Sequence, residues 1–398
     1  MDLFLDVMFW AIVIVAGLVV FGVAWWGLEI TEVPDSPAEA SSAPSRTPSP
    51  QRTAWVIYNP LKVGDEQQFR NLCTKFASLA KYDTCTFVTT SEHDPGIGQA
   101  RAARSANATR VIAAGGDGTI RLVAGILDGS GIPLAILPVG TANLYARNIN
   151  LPTDDLESAM RIAFSGTPRP MDLAWLTIME DQEDALTPSP ATPSTELQRP
   201  LYPESRSYSI SGRHPFLVMA GVGFDAKMMA DTSSDLKKQI GWGAYVAAGI
   251  KNAFGERLHV RVRLDDADHS SDIFLRTLLF ANCGRLPGGL NLIPNAKPDD
   301  GQLDVLALDI RNGLLGWVNV FNRVIAQGIG FSRRDVKMDS ASIKFRQARE
   351  ATVQCLPAHD VQLDGDPVGK VKALKVELAH HALQVVAPKP TSNLNAQA

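Results

Sequence analysis

A short apolar run that ends in a glycine-rich turn constrains the fold of this chain more than any other feature. The run at 111–114 (VIAA) leads directly into the turn at 115–119 (GGDGT), and helical spacing then continues through Leu127. A buried strand that turns at once into a helix is typical of a parallel α/β sheet. Glycines let the backbone come close to a ligand, and the first turn of the helix offers unpaired N–H groups to an anion. An ordinary strand-to-helix turn is the alternative, because Gly and Asp are common turn formers.

Short apolar runs and helical spacings alternate from residue 53 to about residue 165. This region is predicted to contain strands at 54–58, 85–89, 110–114 and 134–137 and a helix over 67–81. Such alternation is typical of a parallel sheet with helices on its faces. The first half of the chain is therefore expected to form a Rossmann-like α/β domain.

The second half of the chain follows a different pattern, with alternation of period two. Its predicted strands are 258–264, 274–280, 303–308, 342–345 and 374–386, and one helix is predicted over 236–254. Alternation of this kind indicates half-buried strands, and the Asp-Gly and Gly-Asp pairs between them favour tight turns. We expect a mostly antiparallel β domain in this half.

Two segments are rich in Pro, Ser and other polar residues. Long polar segments do not offset their ordering entropy by burial, so we expect a disordered linker at 29–52 and a disordered surface insertion at 180–207. The predicted domains are then 53–168, joined by a C-terminal strand at about 374–390, and 169–370.

The N-terminus has the composition of a membrane span. Residues 7–28 carry no charge, and as a helix they would extend about 33 Å, enough for a hydrocarbon core of about 30 Å. A cleaved signal peptide is the alternative, but the chain begins without the Lys or Arg that such a peptide requires. The first basic residues, Arg46 and Arg52, follow the span. The positive-inside rule therefore predicts a single-pass protein of the inner (cytoplasmic) membrane with its folded part in the cytoplasm.

Composition excludes some classes of function. The formal net charge of −4 argues against a protein dominated by nucleic-acid binding, which normally carries a basic excess. The four cysteines are scattered and have no metal-ligand spacing. A disulfide scaffold or a zinc site is therefore not expected, and a reducing compartment fits.

A second strand-to-helix turn follows about twenty residues after the first. The segment 137–147 (LPVGTANLYAR) ends a strand at a Gly-Thr turn. Thr141 and Asn143 would cap the following helix or reach a phosphate or ribose, and capping alone would account for them.

Together these two turns closely resemble the diacylglycerol kinase catalytic family, which includes sphingosine and ceramide kinases and bacterial relatives. Further segments are similar to motifs of that family: 59–64 (NPLKVG), 220–226 (AGVGFDA), 289–305 (GLNLIPNAKPDDGQLDV) and 363–366 (LDGD). The resemblance covers about residues 53–388. It implies a Mg²⁺-dependent enzyme that transfers the γ-phosphoryl group of ATP to a lipid hydroxyl.

The resemblance also implies roles for particular residues. ATP would be bound at Asn59, Thr89, Thr90, Gly115, Gly116, Asp117, Gly118, Thr119, Thr141 and Asn143. A structural Mg²⁺ would be held by Asp300 and by the backbone near Lys297 and Gln302. Oxygen ligands of this kind suit a hard cation. Asp364 would position the substrate or metal, Asp366 would take the hydroxyl proton, and Asp117 would orient the nucleotide or act through Mg²⁺.

The chain departs from the family pattern at two places. Bacterial members often continue the GGDGT turn with an Asn-Glu pair, where this chain has Arg121-Leu122. The Asp-Gly-Glu of the family is Asp364-Gly365-Asp366 here, so the expected base is one methylene shorter. A base must come within about 2.6–3.2 Å of the proton that it accepts, so this change bears directly on activity.

Two other functions are compatible with the motifs. A nicotinamide-nucleotide kinase shares the GGDGT turn, and a non-catalytic regulator that binds lipid or nucleotide would keep the fold without the activity. The acceptor is open among diacylglycerol, a sphingoid base, an undecaprenol-like alcohol and a glycolipid. The expected partners are the lipid substrate and the membrane, with no nucleic acid, and a homodimer is left open.

Overall fold

The computed structural model describes residues 51–179, 208–223, 257–285, 292–293, 295–310, 336–338 and 341–388. The predicted membrane span at 7–28, the insertion at 180–207 and the helix at 236–254 lie outside these residues, as does the predicted linker except for its last two positions. Within the described part of the chain, no helix combines the length and the apolar character needed to cross a membrane.

The first part of the fold alternates strands with helices, as predicted. Its elements are β1 (Thr53–Tyr58), α1 (Glu66–Leu79), β2 (Thr84–Thr89), α2 (Ile97–Ser105), β3 (Arg110–Gly115), α3 (Asp117–Leu127), β4 (Pro133–Pro138), α4 (Leu144–Asn148) and α5 (Leu156–Ser165). The strands pair in parallel in the order β4-β3-β1-β2. Every residue of β3 is buried, as expected for a central strand with helices on both faces.

Side-chain caps fix the beginnings of two of these helices. The carboxylate of Asp65 accepts a hydrogen bond from the N–H of Gln68 at the start of α1. Asp155 does the same for Ser158 at the start of α5. An acidic cap satisfies an otherwise unpaired N–H and interacts favourably with the positive end of the helix dipole.

The second part of the fold is almost entirely antiparallel. Its elements are β5 (Pro168–Met179), β6 (Arg213–Phe216), β7 (Met219–Gly223), β8 (Leu258–Leu264), β9 (Ser271–Leu275), β10 (Thr277–Ala281), β11 (Leu303–Ile310), β12 (Val336–Met338), β13 (Ala341–Ala348), β14 (Glu350–Leu363) and β15 (Asp366–Val386). The prediction of one strand over 274–280 was wrong. The chain changes neighbours at Arg276, because β9 pairs with β8 whereas β10 pairs with β7 and β11.

The long strand β15 joins the two parts into one mixed sheet. Its last residues, Gln384 and Val385, pair in parallel with β4, and its earlier residues pair antiparallel with β5 and β14. The main path of the sheet runs β12-β13-β11-β10-β7-β14-β15-β4-β3-β1-β2. The α/β class with a β-rich C-terminal region is confirmed, whereas the exact domain boundaries stay a prediction.

The hydrophobic core also crosses from one part to the other. One apolar cluster contains Ile57 of β1 together with Leu306 of β11 and Ile343 of β13. The described residues from Gln51 onward belong to one compact unit. The shared strand and the shared core therefore hold the glycine-rich turns of the first part at a fixed distance from the hairpins of the second.

Candidate active site

The residues predicted to bind nucleotide gather at one edge of the parallel sheet. The four strands β1 to β4 are parallel, so their carboxyl ends, at Tyr58, Thr89, Gly115 and Pro138, lie along the same edge. Backbone hydrogen bonds hold the adjoining loops: Thr90 N–H donates to Tyr58 O at 2.8 Å, and Asn59 N–H donates to Ala114 O at 3.0 Å. This edge is where open α/β sheets bind their ligands.

The two glycine-rich turns are in direct backbone contact at this edge. A Cβ atom added to Gly140 would lie 2.5 Å from the Cα of Gly116, closer than packed atoms can approach. The two turns can therefore meet only if position 140 is glycine. At Gly116, the residue before α3, an added Cβ atom would meet only Gly140 Cα within 4 Å, so no described side chain lies against this position. Uncovered backbone before a helix is what a phosphate-binding turn requires.

Asn143 organises the second turn from within. It is buried and left-handed, with φ of 48°, and its Nδ2 donates to Pro138 O at 3.1 Å and to Gly140 O at 2.9 Å. Helix capping, one of the two roles left open for its side chain, is not observed, because the amide binds the preceding loop and makes no capping hydrogen bond to α4. Its Oδ1 has no partner among the described residues, so the group it still offers is an acceptor. Thr141 is exposed.

Asp117 occupies the first position of α3. It is half-buried, and its Oδ1 accepts a hydrogen bond from the N–H of Tyr145 at 3.3 Å. Burial and then the charge of Asp364 raise the pKa of Asp117 to about 6, against the opposing backbone hydrogen bonds of Tyr145 and Leu144. Asp117 therefore ties the GGDGT turn to the start of α4.

Asp364 forms the first half of the two-residue turn between β14 and β15. Both central residues are left-handed, with φ of 49° at Asp364 and 90° at Gly365, which is the conformation of a type I′ hairpin. The buried carboxylate accepts three backbone N–H groups, from Leu217 at 2.9 Å, Val218 at 2.8 Å and Met219 at 2.9 Å. Burial raises its pKa, and the charge of Arg121 and these hydrogen bonds oppose that rise. Its oxygens thus hold the chain that enters β7.

Asp366 lies just after this turn, at the start of β15, with 38% of its side chain exposed. Its Oδ2 forms an ion pair with Nη2 of Arg121 at 3.1 Å. A Cβ atom added to Gly118 would lie 3.3 Å from the same Oδ2. The carboxylate expected to act as base therefore sits over the first turn of α3, beside the GGDGT turn.

Three predicted acidic residues are thus brought together from distant parts of the chain. The charges of Asp364 and Asp366 both contribute to the raised pKa of Asp117. Arg121 supplies the compensating charge, and it also acts with burial to lower the pKa of His214 to about 4. His214 is therefore neutral at neutral pH. No motif in the sequence predicts that it lies near these carboxylates.

The predicted metal segment folds as a compact loop before β11. Asp300 Oδ1 accepts the N–H of Gln302 at 3.1 Å, and Lys297 is exposed. A carboxylate with neighbouring backbone carbonyls is a donor set that Mg²⁺ accepts. The ammonium group of Lys297 cannot bind a cation, so only its carbonyl oxygen could take part.

Asp172, His380 and His381 clamp this loop and were not predicted from the sequence. The fully buried carboxylate of Asp172 accepts the N–H of Gly301 at 2.8 Å and the N–H of His381 at 2.8 Å, and it lies 2.8 Å from His380 Nδ1. The three side chains offer nitrogen and oxygen atoms within 4.8 Å of one another, a spacing compatible with a metal ion. Asp172 is 208 residues from His380, so no local pattern could connect them.

Two family models match the chain. The diacylglycerol kinase catalytic domain matches residues 53–176, and the "YegS C-terminal NAD kinase beta sandwich-like domain" matches residues 217–387. A Pseudomonas aeruginosa protein described as "Probable lipid kinase YegS-like" is 31% identical over 289 residues, which are 72% of this chain and 79% of the relative. The chain belongs to the diacylglycerol kinase catalytic family.

Other members of the family share most of the chain. A "Diacylglycerol kinase" of Bacillus subtilis is 26% identical over 85% of this chain and 97% of its own length. The crystal structure of a diacylglycerol kinase from Bacillus anthracis superposes with a TM-score of 0.56 at 16% identity, covering 85% of this chain and 97% of that one. At that identity the superposition establishes the fold alone. Both the glycine-rich turns and the Asp364–Asp366 hairpin lie within the matched regions.

Proposed function

We propose that this chain is a lipid kinase that transfers the γ-phosphoryl group of ATP to the hydroxyl of a diacylglycerol-like or related lipid alcohol. One observation carries the proposal. An accessible carboxylate, Asp366, lies over the first turn of α3, beside the contact between Gly116 and Gly140. A phosphate-binding helix start and a proton acceptor are thus adjacent. Membership of the diacylglycerol kinase catalytic family supports the same reaction.

The N-terminal half of the site would hold the nucleotide. Phosphoryl transfer requires mainly that the phosphates be positioned and their charge stabilised. The backbone of 115–119 and the turn at Thr141 would surround the phosphates, with Asn59, Thr89 and Thr90 toward the rest of the nucleotide. The amide of Asn143 is buried, so it would contribute by fixing the shape of the second turn through its hydrogen bonds to Pro138 O and Gly140 O.

Asp366 would act on the acceptor. As the lipid hydroxyl oxygen forms its bond to the γ-phosphorus, the bond from that phosphorus to the bridging oxygen breaks and ADP leaves. The hydroxyl proton passes to the carboxylate of Asp366, which is the role of a general base. In this scheme Asp364 fixes the hairpin that carries Asp366, through its three hydrogen bonds to the chain entering β7.

Mg²⁺ is part of the proposal, with Asp300 and the backbone of Lys297 and Gln302 as its ligands. When bound there, the ion would add positive charge and brace the loop that Asp172 clamps. The proposed location is the cytoplasmic face of the inner membrane, anchored through residues 7–28, whose lack of charge supports it. The membrane would then supply the lipid substrate directly.

A transfer assay tests the reaction and its acceptor together. The full-length protein is incubated with γ-labelled ATP, Mg²⁺ and vesicles that contain diacylglycerol, a sphingoid base or undecaprenol, and separately with NAD. We expect label in a lipid, and no label when Asp366 is replaced by Asn. An Asp266→Asn variant, at an exposed position between β8 and β9, is the matched control and should keep the activity.

The same assay addresses the second candidate, a nicotinamide-nucleotide kinase. The C-terminal family model is described as an NAD kinase beta sandwich-like domain, and this likeness is the reason to test the candidate. Label in NADP and none in any lipid would overturn the lipid kinase. ATP binding without transfer to any acceptor would instead favour the non-catalytic regulator.

A further inference from the structure

We propose that Arg121 is a positioning residue that fixes the carboxylate of Asp366 for proton transfer. This inference rests on the proposed function, in which Asp366 is the base. Arg121 lies on α3 four residues after Asp117, so both side chains are on the same face of the helix. That face meets the β14–β15 hairpin.

The guanidinium group of Arg121 binds both strands of this hairpin. Its Nη1 donates to the carbonyl oxygen of Leu363 at 2.7 Å, and its Nη2 donates to Oδ2 of Asp366 at 3.1 Å. Leu363 and Asp366 are the paired residues on either side of the turn. A planar fork that holds a carbonyl and a carboxylate together fixes the carboxylate in orientation as well as in distance.

The exposure of the two partners is unequal, and this asymmetry is what a positioning role requires. The side chain of Arg121 is 1% exposed, whereas that of Asp366 is 38% exposed. The ion pair uses Oδ2, and in the proposed role Oδ1 of this partly exposed side chain receives the hydroxyl proton. The buried arginine thus holds one oxygen of the carboxylate and leaves the other to the substrate.

Stability alone is a poor explanation for this arrangement. Desolvating a guanidinium group is costly, and apolar replacements of buried ion pairs are often neutral or stabilising. Arg121 is incompletely satisfied as well, because its Nε has no hydrogen-bond partner in the described part of the chain. The buried charge also lies near His214, whose pKa it helps to lower.

The two contacting residues are two of the three positions at which this chain departs from the pattern of the family that it resembles, and Leu122 is the third. Arg121 stands where bacterial members often have Asn, and Asp366 stands where the family has Glu. Asp366 is shorter by one methylene, and Arg121 holds its carboxylate over the first turn of α3, near Gly118. We infer that the two departures act as one pair, in which the arginine compensates for the shorter base.

A double-mutant cycle tests the pair in the full-length protein. The kcat and the KM for ATP and for lipid are measured for the wild type, Arg121→Asn, Asp366→Glu and the double variant. Losing the positioning group should lower kcat of Arg121→Asn by roughly 10²-fold, because misplacing a reacting group by about 1 Å has that effect. The KM for ATP should stay within about twofold, since Arg121 is not among the groups assigned to ATP. The double variant, which restores the family pair, should recover at least about tenfold of the lost kcat.

Several results would overturn the pairing. An Arg121→Asn variant with unchanged kcat would do so. A double variant whose loss of kcat equals the product of the two single-variant losses would also do so, because the two residues would then act independently. So would a variant that changes only the KM for ATP. Arg161→Asn, at an exposed position on α5, is the control for loss of one arginine. If Arg121→Asn does not fold, Arg121→Lys keeps the charge without the fork and should lower kcat at unchanged KM.

The failure of this inference is distinguishable from the failure of the proposed function. A wild-type protein that labels no lipid overturns the lipid kinase and this inference with it. A wild-type protein that labels lipid, with Arg121→Asn equally active and folded, overturns the positioning role alone.

Discussion

At the scale of single residues, the carboxylates of Asp364 and Asp366 differ in their hydrogen bonds and in their exposure to solvent. Asp364 is buried and accepts three backbone N–H groups, whereas Asp366, two residues later, is partly exposed and paired with one arginine. Identical side chains thus serve different ends. One holds the backbone, and the other is partly exposed to solvent.

Replacing Asp364 by Asn should destabilise the fold. The amide can accept through one oxygen only, so its NH₂ group would face a backbone N–H that the carboxylate now satisfies. We expect the free energy of unfolding to fall by about 2–4 kcal/mol, measured by urea denaturation. Asp266→Asn, at an exposed position, should change it by less than about 0.5 kcal/mol. An Asp364→Asn variant as stable as the wild type would contradict the structural role of this carboxylate.

Asp117 makes a distinct prediction about pH. Its pKa of about 6 in the folded state lies above the ordinary 3.8, so between these values the folded state holds a proton that the unfolded state lacks. Its contribution to stability is therefore present below pH 3.8 and lost as the pH rises through 6, by about 3 kcal/mol at most. Asp117→Asn removes this contribution.

The check is the free energy of unfolding measured from pH 4 to pH 7. His214 acts in the opposite direction, because its pKa of about 4 makes stability rise as the pH increases toward 6.5. The Asp117→Asn variant should consequently gain stability with rising pH more steeply than the wild type. Parallel pH curves for the two proteins would show that Asp117 titrates normally.

At the scale of elements, the contact between the two glycine-rich turns is asymmetric. A Cβ atom on Gly140 would collide with the backbone of Gly116, whereas a Cβ atom on Gly116 would meet Gly140 Cα at 3.8 Å, an ordinary van der Waals distance. The two glycines therefore serve different requirements. Gly140 is needed for packing, whereas the structure has room for a Cβ atom at Gly116.

Because of this asymmetry, substitutions at Gly140 and Gly116 should have different effects on the stability of the fold and on ATP binding. Gly140→Ala should lower the free energy of unfolding by about 2 kcal/mol or more, because the turns must move apart. Gly116→Ala should leave stability nearly unchanged and yet weaken ATP binding, because its methyl group would occupy the approach to the start of α3. Thermal unfolding and nucleotide titration of both variants make the comparison. Equal ATP affinity of Gly116→Ala and the wild type would place the phosphates elsewhere.

Prediction from the sequence worked best for elements whose signal is local. The helix at 67–81 and the strands β1 to β4 were predicted to within a few residues, because apolar spacing and turn residues specify them over short windows. The turn between β14 and β15 could likewise be predicted from its Asp-Gly pair. The length of β15 could not be predicted, since its 21 residues pair with different strands along their length.

The candidate site likewise contains parts that local motifs predict and contacts that they do not. The GGDGT turn, Asn143 and the Asp364–Asp366 pair could be recognised as motifs, but the contact between Arg121 and Asp366 joins residues 245 positions apart. The sequence marks Arg121 only as a departure from the family pattern, because the direction of its side chain depends on how the hairpin docks against α3. Such long-range contacts depend on the tertiary fold, which no short window of sequence contains.

At the scale of the whole molecule, the shared strand β15 should make unfolding cooperative. Its end pairs with β4, and Val385 is fully buried in the apolar cluster that spans both parts. We expect one calorimetric transition for residues 51–398. Val385→Ala should shift that entire transition, lowering the stability by about 2 kcal/mol through two lost methyl groups and the cavity they leave. Gln384→Ala, at the neighbouring half-buried position, is the control; two separate transitions would contradict the shared-strand account.

The separation of Arg121 from Asp366 also sets an order in time. The two glycine-rich turns are synthesised early, but Asp366 lies 245 residues after Arg121, and contacts at such separation form slowly. A ribosome must add those 245 residues before the arginine can meet its carboxylate. The emerging protein therefore passes through a long stage in which both glycine-rich turns have been made and the carboxylate that pairs with Arg121 has not.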